Sequence, residues 1–334
     1  MKHLCHAIAV LLTLGLAAAP LPAGAAEDDG PTLIRLGIIN AASSATLWAL
    51  PGLAQQYNFV IRPVTFQRYA DARTALAAGN IDVSNIGPQD IALAVAQGAK
   101  NIIALAGTAS GGNCMVVRKD DDITDWQALK GKTIGIGAGS ISWLMFAASV
   151  QENHVDYGTL HTINVVGSGT TFTRALQEHQ IDMMVVWQPF CAEAVVGGYG
   201  RYPTIDHRLS RAVDNLDGVL AATRGFMAQH PAALDRLMSA YVSLVTTFQA
   251  DPRKWTEIYA ANTGIDPALA AESVRDATLH YTFSRAQMVR MAHFLATSGV
   301  TQRDVSGELG QYIDYRPLMK ATGQSEAALG GGSD

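Results

Sequence analysis

Gly137, Gly139, Ser140, Ser142 and Trp143 fall close together in residues 130–146, KGKTIGIGAGSISWLMF, and their types and order suit the capture of an anion. Thr133–Ile136 reads as a short buried strand, too short and too β-branched for a helix. Gly137 and Gly139 let the backbone turn tightly. Ser140 and Ser142 are good N-cap residues for the helix-compatible run WLMFAASVQENH. A strand, a glycine turn, a serine and a helix together present unpaired backbone N–H groups, and the helix dipole adds partial positive charge there. Trp143 would supply a flat apolar wall. The stretch equally fits an ordinary βα turn. It is neither a P-loop, since no Gly-Lys-Ser/Thr follows, nor a Gly-x-Gly-x-x-Gly dinucleotide turn.

The elements that must position such turns follow from the pattern along the chain. Residues 33–39 read as an apolar strand leading into Asn40, Ser43 and Ser44, then Trp48. Residues 60–66 make a second strand, 69–78 a helix closed by Gly79, and 81–86 a third strand running into Gly87-Pro88-Gln89-Asp90 at a helix start. A strand at 102–106 leads to Ser110-Gly111-Gly112-Asn113. Further strands are expected at 114–117, 133–136, 161–166 and 181–186, with Ser168-Gly169-Thr170-Thr171 opening a helix and Trp187-Gln188-Pro189 closing the last strand. This alternation predicts an α/β protein with parallel or mixed sheets. From Met227 onward helices dominate, with Pro231, Pro252 and Pro267 near helix starts. The glycine-rich end predicts a disordered tail over 321–334.

A chain of 334 residues, 49% apolar and 16% charged, holds roughly two folded domains. The net charge of −5 and the lack of a basic tract argue against a nucleic-acid partner. Lys2 and His3 precede an apolar run at 7–19, and Ala23-Gly24-Ala25-Ala26 offers small-residue cleavage sites, so residues 1–26 read as a signal peptide cut near Ala26. The run is too short to span a membrane comfortably. Cys5 precedes it and is not placed for lipid attachment. Cys114 and Cys191 can pair in an oxidising compartment or stay as two buried thiols.

An internal repeat carries more information than any single motif. Ala75-Leu76 and Ile81-Asp82 recur as Ala175-Leu176 and Ile181-Asp182. Gly87-Pro88 corresponds to Trp187-Gln188-Pro189, and the strand followed by Ser43, Ser44 and Trp48 corresponds to the one followed by Ser140, Ser142 and Trp143. One βαβαβ unit is built twice. Ligands of open α/β sheets bind outside the carboxyl ends of the strands. If the two units face each other, helix N-termini and tryptophans line the cleft between them, which suits a small anion with an apolar or aromatic portion.

The segments ALAAGNIDVSNIGPQDIALAVAQGA (75–99), DITDWQALKGKTIGIGAGS (122–140), ALQEHQIDMMVVWQPFCAEA (175–194) and FMAQHPAALDRL (226–237) resemble periplasmic solute-binding proteins of the nitrate, sulfonate, taurine and thiamine-precursor family, which serve ABC importers. The resemblance spans most of the chain after the signal peptide. It implies a type II periplasmic-binding-protein fold: two lobes, each a mixed sheet flanked by helices, plus C-terminal helices. Lobe one would be discontinuous, 31–113 with 217–320, and lobe two 114–216. It also implies hinge closure on a ligand, a periplasmic monomer, an ABC permease as membrane partner, and no cofactor or metal. Carried over to this chain, the ligand-binding set is Ser43, Ser44, Gly87, Gln89, Asp90, Gly112, Ser140, Ser142, Trp143, Thr170, Trp187 and Gln188. Ser43, Ser140 and Thr170 also suit simple helix caps. Asp90, if it reaches the cleft, favours an amine. Trp126 and Trp255 are assigned to packing.

An enzyme is not expected. The histidines are dispersed, with neither His-Glu-x-x-His nor Cys-x-x-Cys, and Ser140 lacks a Gly-x-Ser-x-Gly elbow. The run Asp120-Asp121-Asp122 reads as a solvated turn. One relative of this fold makes the thiamine pyrimidine with a cysteine-rich motif, of which only Cys191 lies near the matching position. The expected ligand is a small organic anion resembling a sulfonate, taurine or nitrate; the alternative is a pyrimidine or other heterocycle, or an aromatic acid, stacked between Trp143 and Trp187.

Overall fold

From Leu36 to Ile39 every residue of the first strand is buried, as expected of a strand covered on both faces. A computed structural model describes residues 30–209 and 216–332; the expected signal peptide and its cleavage site near Ala26 lie outside the described residues. In chain order the first elements are β1 (Thr32–Ile39), α1 (Ala45–Ala49), β2 (Phe59–Phe66), α2 (Tyr69–Ala77), β3 (Val83–Ile86), α3 (Pro88–Ala96) and β4 (Ile102–Ser110). Next come β5 (Asn113–Arg118), β6 (Thr133–Ile136), α4 (Ile141–Glu152), β7 (His161–Asn164), α5 (Gly169–Gln177), β8 (Met183–Trp187), α6 (Phe190–Val196) and β9 (Gly200–Arg201). The rest are β10 (Leu216–Thr223), α7 (Arg224–Gln229), α8 (Pro231–Ala250), α9 (Pro252–Thr263), α10 (Pro267–Val274), β11 (Thr278–Leu279), α11 (Arg285–Thr297) and α12 (Arg316–Thr322). Pro231, Pro252 and Pro267 each occupy the first position of a helix, where the missing N–H has no intrahelical partner to lose.

The strands form two mixed sheets, ordered β11-β4-β10-β3-β1-β2 and β7-β6-β8-β5-β9. Each contains a parallel trio, β2-β1-β3 in one and β7-β6-β8 in the other, flanked by an antiparallel strand, β10 or β5. The chain leaves the first sheet after β4, and β10 brings it back after the whole of the second. Gly111 and Gly112, in the link from β4 to β5, have φ of 78° and 85°. A Cβ on Gly111 would lie 2.3 Å from the carbonyl oxygen of Asp276, so glycine is required there by space as well as by conformation. The Cys114–Cys191 disulfide ties β5 to α6 across a Cα–Cα distance of 6.6 Å, settling the two readings left open for these residues.

The repeat extends to individual atoms. The Arg35 amide donates to Asp82 Oδ2 at 2.8 Å while the Asp82 amide donates to the Arg35 carbonyl at 2.8 Å. The Thr133 amide donates to Asp182 Oδ2 at 2.7 Å, and the Asp182 amide to the Thr133 carbonyl at 2.8 Å. The isoleucine before each aspartate packs on a strand glycine: a Cβ on Gly37 would sit 2.6 Å from Ile81 Cδ1, and one on Gly135 2.6 Å from Ile181 Cδ1. Asp82 and Asp182 therefore fix where β3 and β8 enter their sheets, and Gly37 and Gly135 let them approach.

The C-terminal tail departs from the expectation of disorder. Gly323 ends α12 in the left-handed region with φ of 70°. Leu329 is fully buried. The amides of Phe283 and Arg285 donate to the carbonyls of Leu329 and Gly330 at 3.1 and 3.0 Å. A Cβ on Gly330, φ 102°, would lie 2.1 Å from the Phe283 carbonyl. What reads as low complexity is an apolar plug followed by a glycine that close packing demands.

Gly135→Ala is expected to destabilise the protein by about 1–3 kcal/mol through overpacking. Ile181→Val alone should cost about 0.5–1.5 kcal/mol, yet it should recover stability in the Gly135→Ala background because it removes the colliding methyl. Urea unfolding of the four proteins checks this: strict additivity would show that the two residues do not meet.

Candidate functional site

The carboxyl ends of both parallel trios open onto one cavity of about 360 Å³. The first sheet contributes Ala42 and Ser43 after β1, Tyr69 and Arg73 of α2, Gln89 and Asp90 of α3, and Asp217 of β10. The second contributes Gly137, Gly139, Ser140, Ile141 and Ser142 after β6, Val166 and Gly167 after β7, Phe172 of α5, and Trp187 and Gln188 after β8. Gly112 lines the cavity from the link between the sheets, and Ser273, Ala277 and Val300 from the later helical part.

The turn at 137–142 has the expected form. Ser140 caps α4, its Oγ accepting from the Trp143 amide at 3.1 Å. The amides of Ile141 and Ser142 have no acceptor among the described residues. They belong to the first turn of a helix of 12 residues, so the cavity meets the positive end of a helix dipole. The other wall is apolar: Trp187 meets Phe172 edge-on, with ring centroids 6.0 Å apart.

Eight of the twelve expected residues line the cavity: Ser43, Gln89, Asp90, Gly112, Ser140, Ser142, Trp187 and Gln188. Ser44, Gly87, Trp143 and Thr170 do not. Ser44 is fully buried, and its Oγ accepts from Asn85 Nδ2 at 2.8 Å. Gly87 precedes α3, and a Cβ there would lie 2.3 Å from Gln89 Oε1, so its smallness makes room for the Gln89 side chain. Thr170 lies in the first turn of α5, its carbonyl accepting from Thr173 Oγ1 at 3.1 Å. Trp143 is the main correction. Only 6% of it is exposed, its Nε1 donates to Tyr157 OH at 2.9 Å, and its ring packs beside Phe294 at 6.2 Å. Phe294 packs against its ring and Tyr157 satisfies its indole N–H, which holds the side chain out of the cavity. The two-tryptophan sandwich expected for a heterocycle is therefore absent. Trp255 is buried as expected, and its Nε1 donates to the Ala42 carbonyl at 2.8 Å, fixing the turn after β1.

The charges in the cavity are mostly matched. Asp90 pairs with Arg73 at 2.5 Å and accepts from the Gly87 amide at 3.0 Å. Burial raises its carboxyl above the usual range, against the pull of Arg73. Arg68 pairs with Asp71 at 2.6 Å. Asp217 is different. It is 6% exposed, accepts from Asn113 Nδ2, and has no cationic partner among the described residues. Burial pushes its carboxyl up to about 7. Ser142 Oγ donates to Asn113 Oδ1 at 2.5 Å, so a buried chain runs from α4 through Asn113 to Asp217. Beside it, Ser43 Oγ and Tyr69 OH are 3.1 Å apart. Burial and the charges of Asp217 and Asp90 hold the Tyr69 phenol well above its ordinary value.

Tyr69, Asn113, Phe172 and Asp217 were missed in the sequence. Asp217 had a signal, a carboxylate inside the apolar run Leu216-Asp217-Gly218-Val219-Leu220. Asn113 had none beyond its place in a glycine turn. Among the described residues no cluster of histidine, cysteine or carboxylate residues could hold a metal ion, and no helix is long and apolar enough to cross a membrane.

Comparison with known proteins places the chain by family and fold. Residues 28–263 match the NMT1-like family model, and the chain belongs to that family. No curated protein matches the sequence. The alkanesulfonate-binding protein SsuA from Xanthomonas axonopodis pv. citri, solved with MOPS bound, aligns with a TM-score of 0.74 at 16% identity, over 86% of this chain and 99% of that one. The ligand-binding component of an ABC-type import system from Staphylococcus aureus, with zinc bound, aligns with a TM-score of 0.75 at 17% identity, over 88% and 100%. The periplasmic nitrate-binding protein NrtA from Synechocystis PCC 6803 gives 0.74 at 14%, over 90% and 91%. The fold is that of the periplasmic binding proteins.

Asp217 also makes stability depend on pH. Its folded-state value lies above the unfolded carboxylate value of about 3.9, so the folded protein holds the proton more tightly and loses stability as pH rises from about 4 to 7. Asp217→Asn removes that loss. The variant should gain on the order of 2–4 kcal/mol over the parent at pH 8 and little at pH 4, read by urea unfolding without ligand; an equal effect at both pH values would contradict the assignment.

Proposed function

We propose that the protein is the periplasmic solute-binding component of an ABC importer, and that it captures a small organic acid without transforming it. The observation that carries this reading is the pair of unpaired amides, Ile141 and Ser142, at the start of α4 against a cavity whose opposite wall is Trp187 and Phe172. The amides hold the acid group and the aromatic wall holds an apolar body. The family membership and the likeness to sulfonate- and nitrate-binding proteins support the class. A cavity of about 360 Å³ with an aromatic wall favours a sulfonate or aromatic acid over nitrate, which would leave that wall uncovered. A heterocycle would stack on Trp187 alone.

Capture would close two lobes, 31–113 with 217–320 against 114–216, about the links beside Gly112 and Asp217, and the permease would read the closed form. A thermal-shift panel of sulfonates, aromatic acids, nitrate and pyrimidines should single out acids with an apolar body, and mass spectrometry should recover them unchanged; turnover would overturn the binding reading.

Ile141 is the first helical residue after the Ser140 cap, where proline fits the backbone at the loss of the N–H and of part of a buried side chain. With part of a buried side chain lost, Ile141→Pro should lower the melting temperature of the free protein but leave it folded. It should weaken acid binding about 10- to 100-fold, the worth of a hydrogen bond to a charged group. Unchanged affinity would move the acid group elsewhere.

A further inference from the structure

Asp90, the carboxylate that the sequence nominates to receive an amine, is neutralised by Arg73. The unmatched carboxylate of the cavity is Asp217. Among the described residues its side-chain partners are uncharged, Asn113 and Ser43. A second group of the same character lies in the same cavity. Gln89 is 2% exposed, lines the cavity, and its Oε1 finds no hydrogen-bond donor. Gly87 gives that carboxamide its space, since a Cβ there would lie 2.3 Å from Oε1 and 2.6 Å from Nε2. Both residues come from the first sheet and its helices, and Tyr69, which lines the same cavity, senses the charge of Asp217 and of Asp90. The unpaired amides of Ile141 and Ser142 come from the second.

A buried carboxylate without a counter-charge and a buried carbonyl without a donor are each costly. Matched by a ligand, the same two groups become a strong, charge-assisted contact. A bare sulfonate or carboxylate would meet Asp217 unfavourably wherever its body extends toward the first sheet. A ligand with acid at one end and N–H donors at the other satisfies both walls.

We infer that Asp217 and Gln89 form a subsite for a protonated nitrogen, and that the solute is an organic acid carrying an ammonium group or a protonated heterocyclic nitrogen. This rests on the reading that the amides of α4 hold the acid group. The ammonium supplies the cation that Asp217 lacks and a donor for Gln89 Oε1. The subsite also sets specificity, since an isostere with methyl in place of the ammonium leaves both groups buried and unmatched.

Calorimetric titration with three probes separates the two claims: 3-aminopropane-1-sulfonate, butane-1-sulfonate with methyl in place of the ammonium, and butylamine without the sulfonate. The parent protein should bind the aminosulfonate about 10- to 100-fold tighter than butane-1-sulfonate. Asp217→Asn should reduce that ratio to near unity, and Gln89→Leu should reduce it in part, which keeps the test alive should the first variant fail to fold. Equal binding of the two sulfonates by the parent, or a ratio that survives both substitutions, overturns the inference while leaving the acid site standing. Butylamine binding as tightly as the aminosulfonate, with an affinity that falls in Asp217→Asn, would uphold the nitrogen subsite and discard the acid site. Binding of none of the three at millimolar concentration overturns both.

Discussion

The buried chain from Ser142 Oγ to Asn113 and from Asn113 Nδ2 to Asp217 is the interaction on which the site depends. Ser142 belongs to the first turn of α4, Asn113 opens β5, and Asp217 lies near the start of β10. Those two strands are where the chain enters the second sheet and returns to the first. The hydrogen bonds therefore register the anion-facing helix against both crossings. Burial desolvates Asp217 and the hydrogen bond from Asn113 gives it no counter-charge, which leaves one acidic group in a cavity whose other charges are paired.

Around that chain the fold uses one device twice. An aspartate receives the backbone N–H of a neighbouring strand and returns its own to that strand's carbonyl, with an isoleucine packed on a strand glycine just before it. Repetition of the unit puts two sets of strand ends, and the helix starts that follow them, around a common cavity. The contributions are unequal. The second sheet supplies free helix amides and the aromatic wall; the first supplies carboxylates and a carboxamide. This asymmetry orients a solute with two unlike ends.

Much of this was legible in the sequence. Glycine after a short β-branched strand, then serine before a helical run, located the α4 turn because caps and turns are set by local chemistry. The repeated Ile-Asp pairs disclosed the doubled unit because both aspartates have the same structural task. What stayed hidden depends on distant partners. Trp143 has the composition of a cleft residue, but its direction is set by Tyr157 and Phe294. Asp90 reads as a free carboxylate until Arg73 is seen beside it, 17 residues away in the chain. Ser44 faces Asn85 rather than solvent. The tail looked unstructured because composition does not reveal that Leu329 has a pocket to fill.

A crystal structure of the protein with an organic acid taken from the binding screen tests the central claim most directly. The account expects the acid oxygens about 3 Å from the amides of Ile141 and Ser142, with the body of the ligand against Trp187 and Phe172 and both sheets contributing contacts. An acid group held instead by Arg68 at the rim, or a ligand touching residues of one sheet alone, would contradict it.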